Sequence, residues 1–426
     1  MERNDPRYQA YVEILKEELI PAMGCTEPIA LAYAAAKARE VLGVLPDSVQ
    51  LQVSGSIIKN VKSVIVPNTG HLKGMEAAVA AGIIAGSAEK ELEVISEVSE
   101  EKKSAIRDYL QTVPITIEHT EQGHVFDIVV TERCGQDYAR VRIADYHTNI
   151  CRIEKNGTVL YEVPLLDETV QEDARADRSL LNMQDIWDFA ETADLRDVAD
   201  LLERQIRYNN AIAEEGLLGD YGANIGRVLL TTYGNDVSNR AKAKAAAGSD
   251  ARMNGCELPV IINSGSGNQG ITCSVPLIEY AKELHSGKEK LYRALIISNL
   301  VAIHEKTGIG TLSAYCGAVS AGAGAGAGIV YLCDDGYQAA IHTVVNALAI
   351  VSGIVCDGAK ASCAAKIASS VDAALLGYNM YKCNQEFKGG DGIVMKDIET
   401  TIKGIGRLGK NGMKETNEEI IRLMIE

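Results

Sequence analysis

Residues 316–330 read CGAVSAGAGAGAGIV and contain no charged side chain. They lie in the first of two uncharged runs, 309–332 and 337–356, each of about the ~20 residues that a membrane span requires. Alanine, glycine and serine gain little in lipid, however, and both runs contain Cys, His or Asn residues, which a bilayer penalises. We therefore expect no membrane span, but two helices that are buried in a protein core and approach their neighbours closely through small side chains.

The overall composition argues against nucleic acid as a partner. The 426 residues include 42 Lys and Arg against 58 Asp and Glu, and the formal net charge is -16. A chain this acidic does not attract a phosphate backbone, so we expect no nucleic-acid partner. Ten cysteines are spread along the chain with no secretory signal pattern ahead of them. This usage favours a reducing compartment and predicts a cytoplasmic protein.

Differences in residue pattern divide the chain into three regions and predict an α+β fold. Residues 1–46 read as helices, which we expect to contribute to a functional site. Residues 47–166 predict a mixed α/β domain, and after an acidic linker residues 178–426 predict a large, almost entirely helical domain. We take the linker to be 167–177.

The middle region combines strand and helix patterns. Alternating apolar and β-branched residues predict strands in the segments SVQLQVSG, SVIVP, VPITIEH, VFDIVVTE and YARVRIADYHTNICRIEKNGTVLYEV. Asn156-Gly157 is a hairpin turn signal because both residue types tolerate positive φ. Helices predicted over 74–86 and 96–110 would cover one face of the resulting sheet.

A glycine-rich loop, SGSGNQG at 264–270, precedes a predicted helix. It matches the GxGxxG pattern of dinucleotide-binding loops, but no second strand ending in Asp or Glu follows at the required distance, which argues against NAD. The loop could cup the phosphate of pyridoxal phosphate, although no lysine stands in a recognisable Schiff-base setting. In any case its backbone N–H groups can receive a small anionic substrate. The predicted substrate-binding residues are Ser264, Gly265, Ser266, Gly267 and Asn268.

Three cysteines are candidate metal ligands. Cys356 and Cys363 lie seven residues apart in CDGAKASC, and Cys316 precedes the alanine- and glycine-rich run. Asp357-Gly358 favours a turn that would let the three sulfurs converge. Three thiolates suit either zinc with an open position or an iron-sulfur cluster with one unliganded iron. The alternative is that these cysteines only fill space among small residues, as free cysteines often do.

Cys25 stands in the sequence GCTEP, just before a predicted helix start at which Thr26 can cap. A helix N-terminus lowers the pKa of a cysteine, although the neighbouring Glu27 opposes this by like charge. Cys25 is therefore a candidate base or nucleophile. Its alternative role is that of an inert cap residue.

A second candidate anion-binding loop is PNTGHLKG, which leads from a predicted strand into a helix. Asn68, Thr69 and Gly70 could bind substrate there, or could be ordinary turn and cap residues. His71 and His304 could serve in acid-base chemistry, but most single histidines are structural, and we assign neither a role. The cysteines without a matching constellation are expected to be packing residues: Cys134, Cys151, Cys256, Cys273, Cys333 and Cys383.

Taken together and in this order, GCTEP, PNTGHLKG, NSGSGNQG, AYCG with SAGAGAG, and IVCDGAKASC resemble one family pattern. The chain resembles the L-cysteine desulfidase family, also called the UPF0597 or YhaM-like family, over essentially its whole length. That family is similar to the alpha region of bacterial iron-sulfur L-serine dehydratases.

The resemblance implies an oxygen-sensitive enzyme with a [4Fe-4S] cluster held by three cysteines, which here are Cys316, Cys356 and Cys363. It also implies that the GCTEP cysteine, Cys25, is the catalytic residue. Two departures from the dehydratase pattern favour the desulfidase. The second and third cysteines are closer together, and Pro-Asn-Thr-Gly-His stands where the dehydratases have Ser-Ser-Ser-His.

The expected function is therefore an iron-sulfur-dependent lyase that converts L-cysteine to pyruvate, sulfide and ammonia, with a small amino acid as its substrate. Two alternatives remain open: an L-serine dehydratase of the same class, and a non-catalytic iron-sulfur or zinc sensor. A large helical surface rich in alanine and glycine favours a homodimer.

Overall fold

A computed structural model describes residues 1–120, 124–165, 175–310 and 312–425. The helices that it contains within these residues are α1 Pro6–Glu18, α2 Thr26–Leu42, α3 Gly55–Val61, α4 Gly74–Ala85, α5 Glu100–Thr112, α6 Met183–Thr192, α7 Ala199–Leu218, α8 Ile225–Tyr233, α9 Val237–Met253, α10 Gly267–Glu283, α11 Lys288–Ile309, α12 Gly317–Leu332, α13 Gly336–Val351, α14 Ser362–Lys382, α15 Ile398–Arg407 and α16 Lys414–Ile425. The strands are β1 Pro21–Met23, β2 Ser48–Ser54, β3 Ile115–Thr120, β4 Asp127–Cys134, β5 Asp137–Ala144, β6 Ile150–Lys155, β7 Thr158–Glu162 and β8 Pro259–Ile261.

Six of the strands form a mixed sheet in the order β3-β2-β4-β5-β6-β7. β2 and β3 are parallel, and the other neighbours are antiparallel. Val49, Leu51 and Val53 alternate toward the buried face, as a period of two requires. The predicted hairpin is confirmed, since Asn156 and Gly157 join β6 to β7 with positive φ angles of 49° and 82°.

Helix α2 packs on strands β4 and β5, and α4 packs on the outer side of α2. The contact between the helices is very close at Gly82, where an added Cβ would lie 2.1 Å from the carbonyl oxygen of Ala32. Only glycine fits at such a crossing. The helices predicted to cover the sheet are therefore present. Gly82, in the interior of α4, sets the closest approach between α4 and α2.

Helix α12 is the centre of the helical region and packs against α10, α11, α13 and α14. Its alternate glycines each meet a different neighbour: an added Cβ would lie 2.8 Å from Ser370 of α14 at Gly322, 2.4 Å from Ser298 of α11 at Gly324, 2.8 Å from Thr343 of α13 at Gly326 and 2.5 Å from Leu277 of α10 at Gly328. The prediction of a buried helix packed through small residues is confirmed. Across the described ranges, none of the helices combines the length and apolarity that a membrane crossing needs.

Several local predictions were wrong. Residues 63–67 form no strand and contribute only an isolated bridge between Ile65 and Lys73. The short helix α3 was not predicted, since its β-branched residues resemble a strand. The helix expected over 96–110 is α5, which begins only after Ser99 because the Ser99 side chain accepts a hydrogen bond from the backbone N–H of Lys102.

The two regions predicted as helical or almost entirely helical each contribute one short strand. β1 pairs antiparallel with β8, with Pro21 opposite Ile261 and Met23 opposite Pro259. One continuous apolar core also includes residues from all three predicted regions, among them Leu31, Val130 and Val319. The three-part division stays a prediction. Most of the expected linker, residues 167–174, lies outside the described residues.

We expect Gly82→Ala to destabilise the protein, since the new methyl group would collide with the backbone of α2. Gly404→Ala is the matched control, because Gly404 also lies inside a helix but an added Cβ would meet only Met395 at 3.7 Å. Thermal unfolding should show a loss of about 1–3 kcal/mol or more for the first variant and a gain of up to about 1 kcal/mol for the second. Equal changes in both would contradict the proposed close crossing.

Candidate active site

The β1–β8 ribbon leads directly into the GCTEP turn. Gly24 has a φ of 56° and lies against Pro67, whose Cγ would be 2.7 Å from an added Cβ. Cys25 is the N-cap of α2, and Thr26 is the first helical residue rather than the predicted cap. Because Pro67 precedes Asn68, this contact also places the PNTGHLKG loop beside the turn.

Cys25 and Glu27 form a buried pair. The thiol of Cys25 donates to Oε2 of Glu27 at 3.0 Å, and the side chain of Asn60 donates to Oε1 at 3.0 Å. The hydroxyl of Thr26 lies 3.1 Å from Glu27 Oε2 and 3.0 Å from the carbonyl oxygen of Gly265. The carboxylate is thus surrounded by donors, and Thr26 ties the turn to the glycine-rich loop.

The protonation states of this pair follow from burial and charge. Burial raises the pKa of Cys25 well above its ordinary value, and the charge of Glu27 adds to the rise. Burial would also raise the pKa of Glu27, but His147 and the Cys25 thiol lower it to about 2. The helix N-terminus was expected to lower the pKa of Cys25, but burial and the charge of Glu27 outweigh that effect. The resting site holds a thiol beside a carboxylate.

His147 completes this part of the site. Its Nε2 lies 3.9 Å from Glu27 Oε1, within ion-pair range but too far for a hydrogen bond, and Nε2 is buried without a hydrogen-bond partner. The ring packs edge-on against Phe126, at 4.7 Å between centroids. On its other side it lies against the glycine-rich loop, since an added Cβ at Gly265 would be 3.1 Å from His147 Cε1.

The glycine-rich loop makes a tight turn before α10. The backbone groups of Asn263 and Ser266 exchange hydrogen bonds of 3.1 and 3.0 Å, and the Ser264 hydroxyl donates to Asn263 Oδ1 at 2.9 Å. Oδ1 of Asn268 and Oε1 of Gln269 are buried without partners. The predicted substrate loop therefore lies against the Cys25 turn and presents unpaired polar atoms.

The three candidate ligands lie on adjacent segments. Cys356 N–H donates to the carbonyl of Ala314 at 2.7 Å, and Cys316 N–H donates to that of Ile354 at 3.2 Å, so these cysteines stand on facing strands of a short bridge. Cys316 caps α12, and Cys363 lies in the first turn of α14 with its thiol 3.5 Å from the carbonyl of Gly358. We call Cys316, Cys356 and Cys363 the cysteine cluster.

Burial and mutual repulsion act on the cysteine cluster. Burial raises the pKa of Cys316 to about 12, with Cys356 and Cys363 adding to the rise through their charges. The bridge between the Cys316 and Cys356 segments, and the contact of the Cys363 thiol with Gly358, place the three residues in one region. All ten cysteines are free, so no disulfide competes for these thiols.

Two lysines place positive charge beside the cysteine cluster. Lys59 is 1% exposed, and its Nζ donates to Asn417 Oδ1 at 2.6 Å and to the carbonyl of Cys356 at 3.4 Å. Lys306 donates to the carbonyl of Gly310 at 2.5 Å. Burial lowers the pKa of Lys306 to about 8, although Cys356 and Cys316 act in the opposite direction.

The cysteine cluster and the Cys25–Glu27 pair belong to one site. Lys59 contacts Cys356 and the next residue, Asn60, contacts Glu27. On the opposite side, an added Cβ at Gly317 would lie 2.6 Å from the Gln269 side chain, so the glycine-rich loop also reaches the start of α12. The glycine-rich loop therefore contacts the Cys25 turn through Thr26 and the start of α12 through Gln269.

The chemistry of the three candidate ligands suits an iron-sulfur group. Over the ranges that the structure describes, no three His, Cys, Asp or Glu side chains are arranged to hold one metal ion. Thiolates are the usual ligands of iron-sulfur clusters, in which each cysteine binds a different iron. Three neighbouring free thiols with two lysines beside them fit such an anionic group.

The residues of the second candidate anion-binding loop, and the two histidines noted in the sequence, make contacts within the protein. Asn68 donates to the carbonyl of Ile95 at 2.8 Å, and Thr69 donates to that of Val66 at 2.7 Å, while Gly70 packs against Arg107. Their binding role stays a prediction. His304 pairs with Glu399 at 2.9 Å, and His71 packs near Gly255.

Several site residues were missed from the sequence. Asn60, His147 and Arg252 each reach the site from a separate element, and nothing in their local sequence marks them. Arg252 is 2% exposed and lies against Gly267. Among the residues around Cys25, the sequence analysis noted Glu27, but only as a like charge that opposes a lowered pKa of Cys25.

A family model and individual relatives both match most of the chain. A family model described as "Serine dehydratase alpha chain" matches residues 89–422. The chain is 61% identical over 425 residues to a UPF0597 protein of Desulfitobacterium hafniense (strain Y51), covering 100% of this chain and 98% of the relative. It is 52% identical to a UPF0597 protein of Lachnoclostridium phytofermentans, covering 98% and 100%, and 46% identical to one of Treponema denticola, covering 100% of both.

We expect the thiol of Cys25 to react slowly with iodoacetamide near neutral pH, because burial and Glu27 raise its pKa. In Glu27→Gln, which removes the like charge, the pH at which alkylation reaches half its maximal rate should fall. Peptide mass spectrometry can follow Cys25 and the exposed Cys383 in the same sample, so Cys383 is the internal control. A profile for Cys25 that is unchanged in Glu27→Gln would show that the carboxylate does not act on the thiol.

Proposed function

The chain belongs to the UPF0597 family, which is related to serine dehydratase alpha chains, and from this premise we propose that it is an iron-sulfur-dependent lyase that eliminates sulfide from L-cysteine. The observation that supports this most directly is the junction at Lys59 and Asn60, which joins a buried acid-base pair to three neighbouring free thiols. An elimination needs both a proton acceptor and assistance to the leaving group.

The cysteine cluster would hold a [4Fe-4S] group, which when bound supplies an iron with an open position that acts as a Lewis acid on the leaving group or carboxylate. Lys59 and Lys306 would offset its negative charge. The glycine-rich loop, with Asn68 to Gly70 as a further candidate contact, would hold the substrate so that its Cα faces Cys25. Binding in this buried position also excludes water from the reacting atoms.

Cys25 would take the proton from Cα in its thiolate form, after its own proton has been lost to solvent, and Glu27, 3.0 Å away, would accept the hydrogen bond of the thiol that forms again. A thiolate whose pKa is raised is a strong base, which suits a weakly acidic Cα proton. The electron pair from the Cα–H bond forms the Cα–Cβ double bond, and the Cβ–S bond breaks. The sulfide takes up a proton and leaves, and the aminoacrylate tautomerises to an imine that water hydrolyses to pyruvate and ammonia.

L-Serine is the second candidate substrate, because the matching family model carries the description of a serine dehydratase. The same residues would then act on a hydroxyl leaving group, and the reaction would be that of a carbon–oxygen lyase. The two activities differ in the leaving group and not in the Cα chemistry.

Anaerobically purified protein should release sulfide and pyruvate in equal amounts from L-cysteine. Cys316→Ala, Cys356→Ala and Cys363→Ala should lose both this activity and iron. Cys25→Ser should keep its iron and lose about 10²- to 10⁴-fold in rate, the contribution typical of a positioned base. Cys383→Ser, at an exposed position, is the control and should lose neither.

Activity that survives in iron-free protein would contradict the proposal. A higher kcat/KM for L-serine than for L-cysteine would assign the second candidate function. Turnover of neither amino acid by iron-loaded protein would instead support a non-catalytic sensor.

A further inference from the structure

Arg252, near the end of α9, is a buried arginine beside the candidate active site. It is 2% exposed, and no other arginine in the described ranges is buried to this degree. Its guanidinium lies directly against the first residue of α10, because an added Cβ at Gly267 would be 2.2 Å from Arg252 Nε and 2.7 Å from Cζ. Glycine at 267 is what allows the arginine to reach this position.

Among the residues that the structure describes, no carboxylate neutralises this charge. Within the part of the chain that the structure describes, Arg252 forms no ion pair and no side-chain hydrogen bond, and its Nε is buried without a partner. Several half-buried arginines are paired with carboxylates, as Arg178 is with Glu17 and Glu18 and Arg142 with Asp127. Arg39 and Arg204 also have a buried Nε without a partner, but neither residue is fully buried as Arg252 is. A buried charge without a partner is costly, so its retention points to an anion that binds there.

The surroundings of Arg252 suit a carboxylate. Ser266, the N-cap of α10, makes no side-chain capping bond, which leaves the N–H groups of the first helical turn available. The guanidinium lies against Gly267, the first residue of this turn. A carboxylate could accept hydrogen bonds from both, with favourable contributions from the arginine charge and the helix dipole.

The same position lies close to Cys25. Thr26 bonds to Gly265 at 3.0 Å, and the positive charge of Arg252 acts to lower the pKa of Cys25 against the stronger effects of burial and Glu27. A carboxylate held by Arg252 would therefore lie in the same part of the site as Cys25. This arrangement suits a compound whose reacting C–H bond is adjacent to its carboxylate.

We propose that Arg252 and the first-turn N–H groups of α10 bind the α-carboxylate of the substrate, and that Arg252 thereby restricts the site to small α-amino carboxylates. The inference rests on the proposed function for the identity of the substrate, but the carboxylate site itself does not depend on turnover. Arg252 is then a substrate-binding residue and not a structural one.

The test measures binding without turnover. L-Alanine has the carboxylate and amine but no leaving group on Cβ, and ethylamine is the same amine without the carboxylate. Calorimetric titration of the anaerobically purified protein should detect L-alanine and not ethylamine. Arg252→Lys, which keeps the charge but loses the two-pronged geometry, should weaken L-alanine binding by about 10- to 100-fold, and Arg252→Met should abolish it.

Two controls separate binding from folding. Arg240→Lys changes an arginine of the same helix that is already paired with Glu279 and Glu283, and it should bind L-alanine like the wild type. Without ligand, Arg252→Met should melt no lower than the wild type, because it removes an unpaired buried charge. A structural arginine would instead show a clear loss in melting temperature and no selective loss of binding.

Wild-type binding of L-alanine no tighter than that of ethylamine, or Arg252→Met binding like the wild type, would overturn the inference. If L-alanine binds through Arg252 but neither L-cysteine nor L-serine is turned over, the carboxylate site stands and the proposed function fails. If L-cysteine is turned over with a KM that Arg252→Lys and Arg252→Met leave unchanged, the proposed function stands and this inference fails.

Discussion

The close approach of helices at glycine is the constraint on which the rest of the structure depends. At Gly324 the backbones of α12 and α11 come so near that an added Cβ would lie 2.4 Å from a carbonyl oxygen. Because glycines along α12 meet four different helices, this helix fixes the position of all of them. Cys316 stands at its N-terminus and Cys363 in the first turn of a neighbour, so the same packing sets where the thiols lie. Substituting small residues by larger ones would therefore disturb the site as well as the core.

The site is unusual in the number of charged groups that it buries. Glu27 is surrounded by donors, but Lys59 and Arg252 have no carboxylate partner among the described residues, and three thiols share one region. Buried charges are costly unless a group of opposite charge compensates them. The cations near the thiols suit an anionic cluster, and the cation near the glycine-rich loop suits a carboxylate. Electrostatics would thus divide the candidate site into two neighbouring regions, one for each kind of anion.

The sequence predicted those features that depend on local pattern. Alternation identified the sheet, uncharged small-residue runs identified the buried helices, and the GCTEP pattern placed Cys25 just before a helix start. It failed where a feature depends on distant partners. The strands β1 and β8 are three residues long and show no periodicity, and they exist because each supplies the other with hydrogen bonds. Asn60, His147 and Arg252 likewise become neighbours only through tertiary packing. The protonation state of Cys25 was also beyond local reasoning, because burial outweighs the helix terminus.

The central claim is that the three free thiols of the cysteine cluster hold an iron-sulfur group beside the Cys25–Glu27 pair. The most direct measurement is the content of iron and acid-labile sulfide per chain in protein purified without oxygen. The account predicts about four of each, as a [4Fe-4S] cluster requires. Zinc alone, or neither iron nor sulfide under strictly anaerobic conditions, would contradict it.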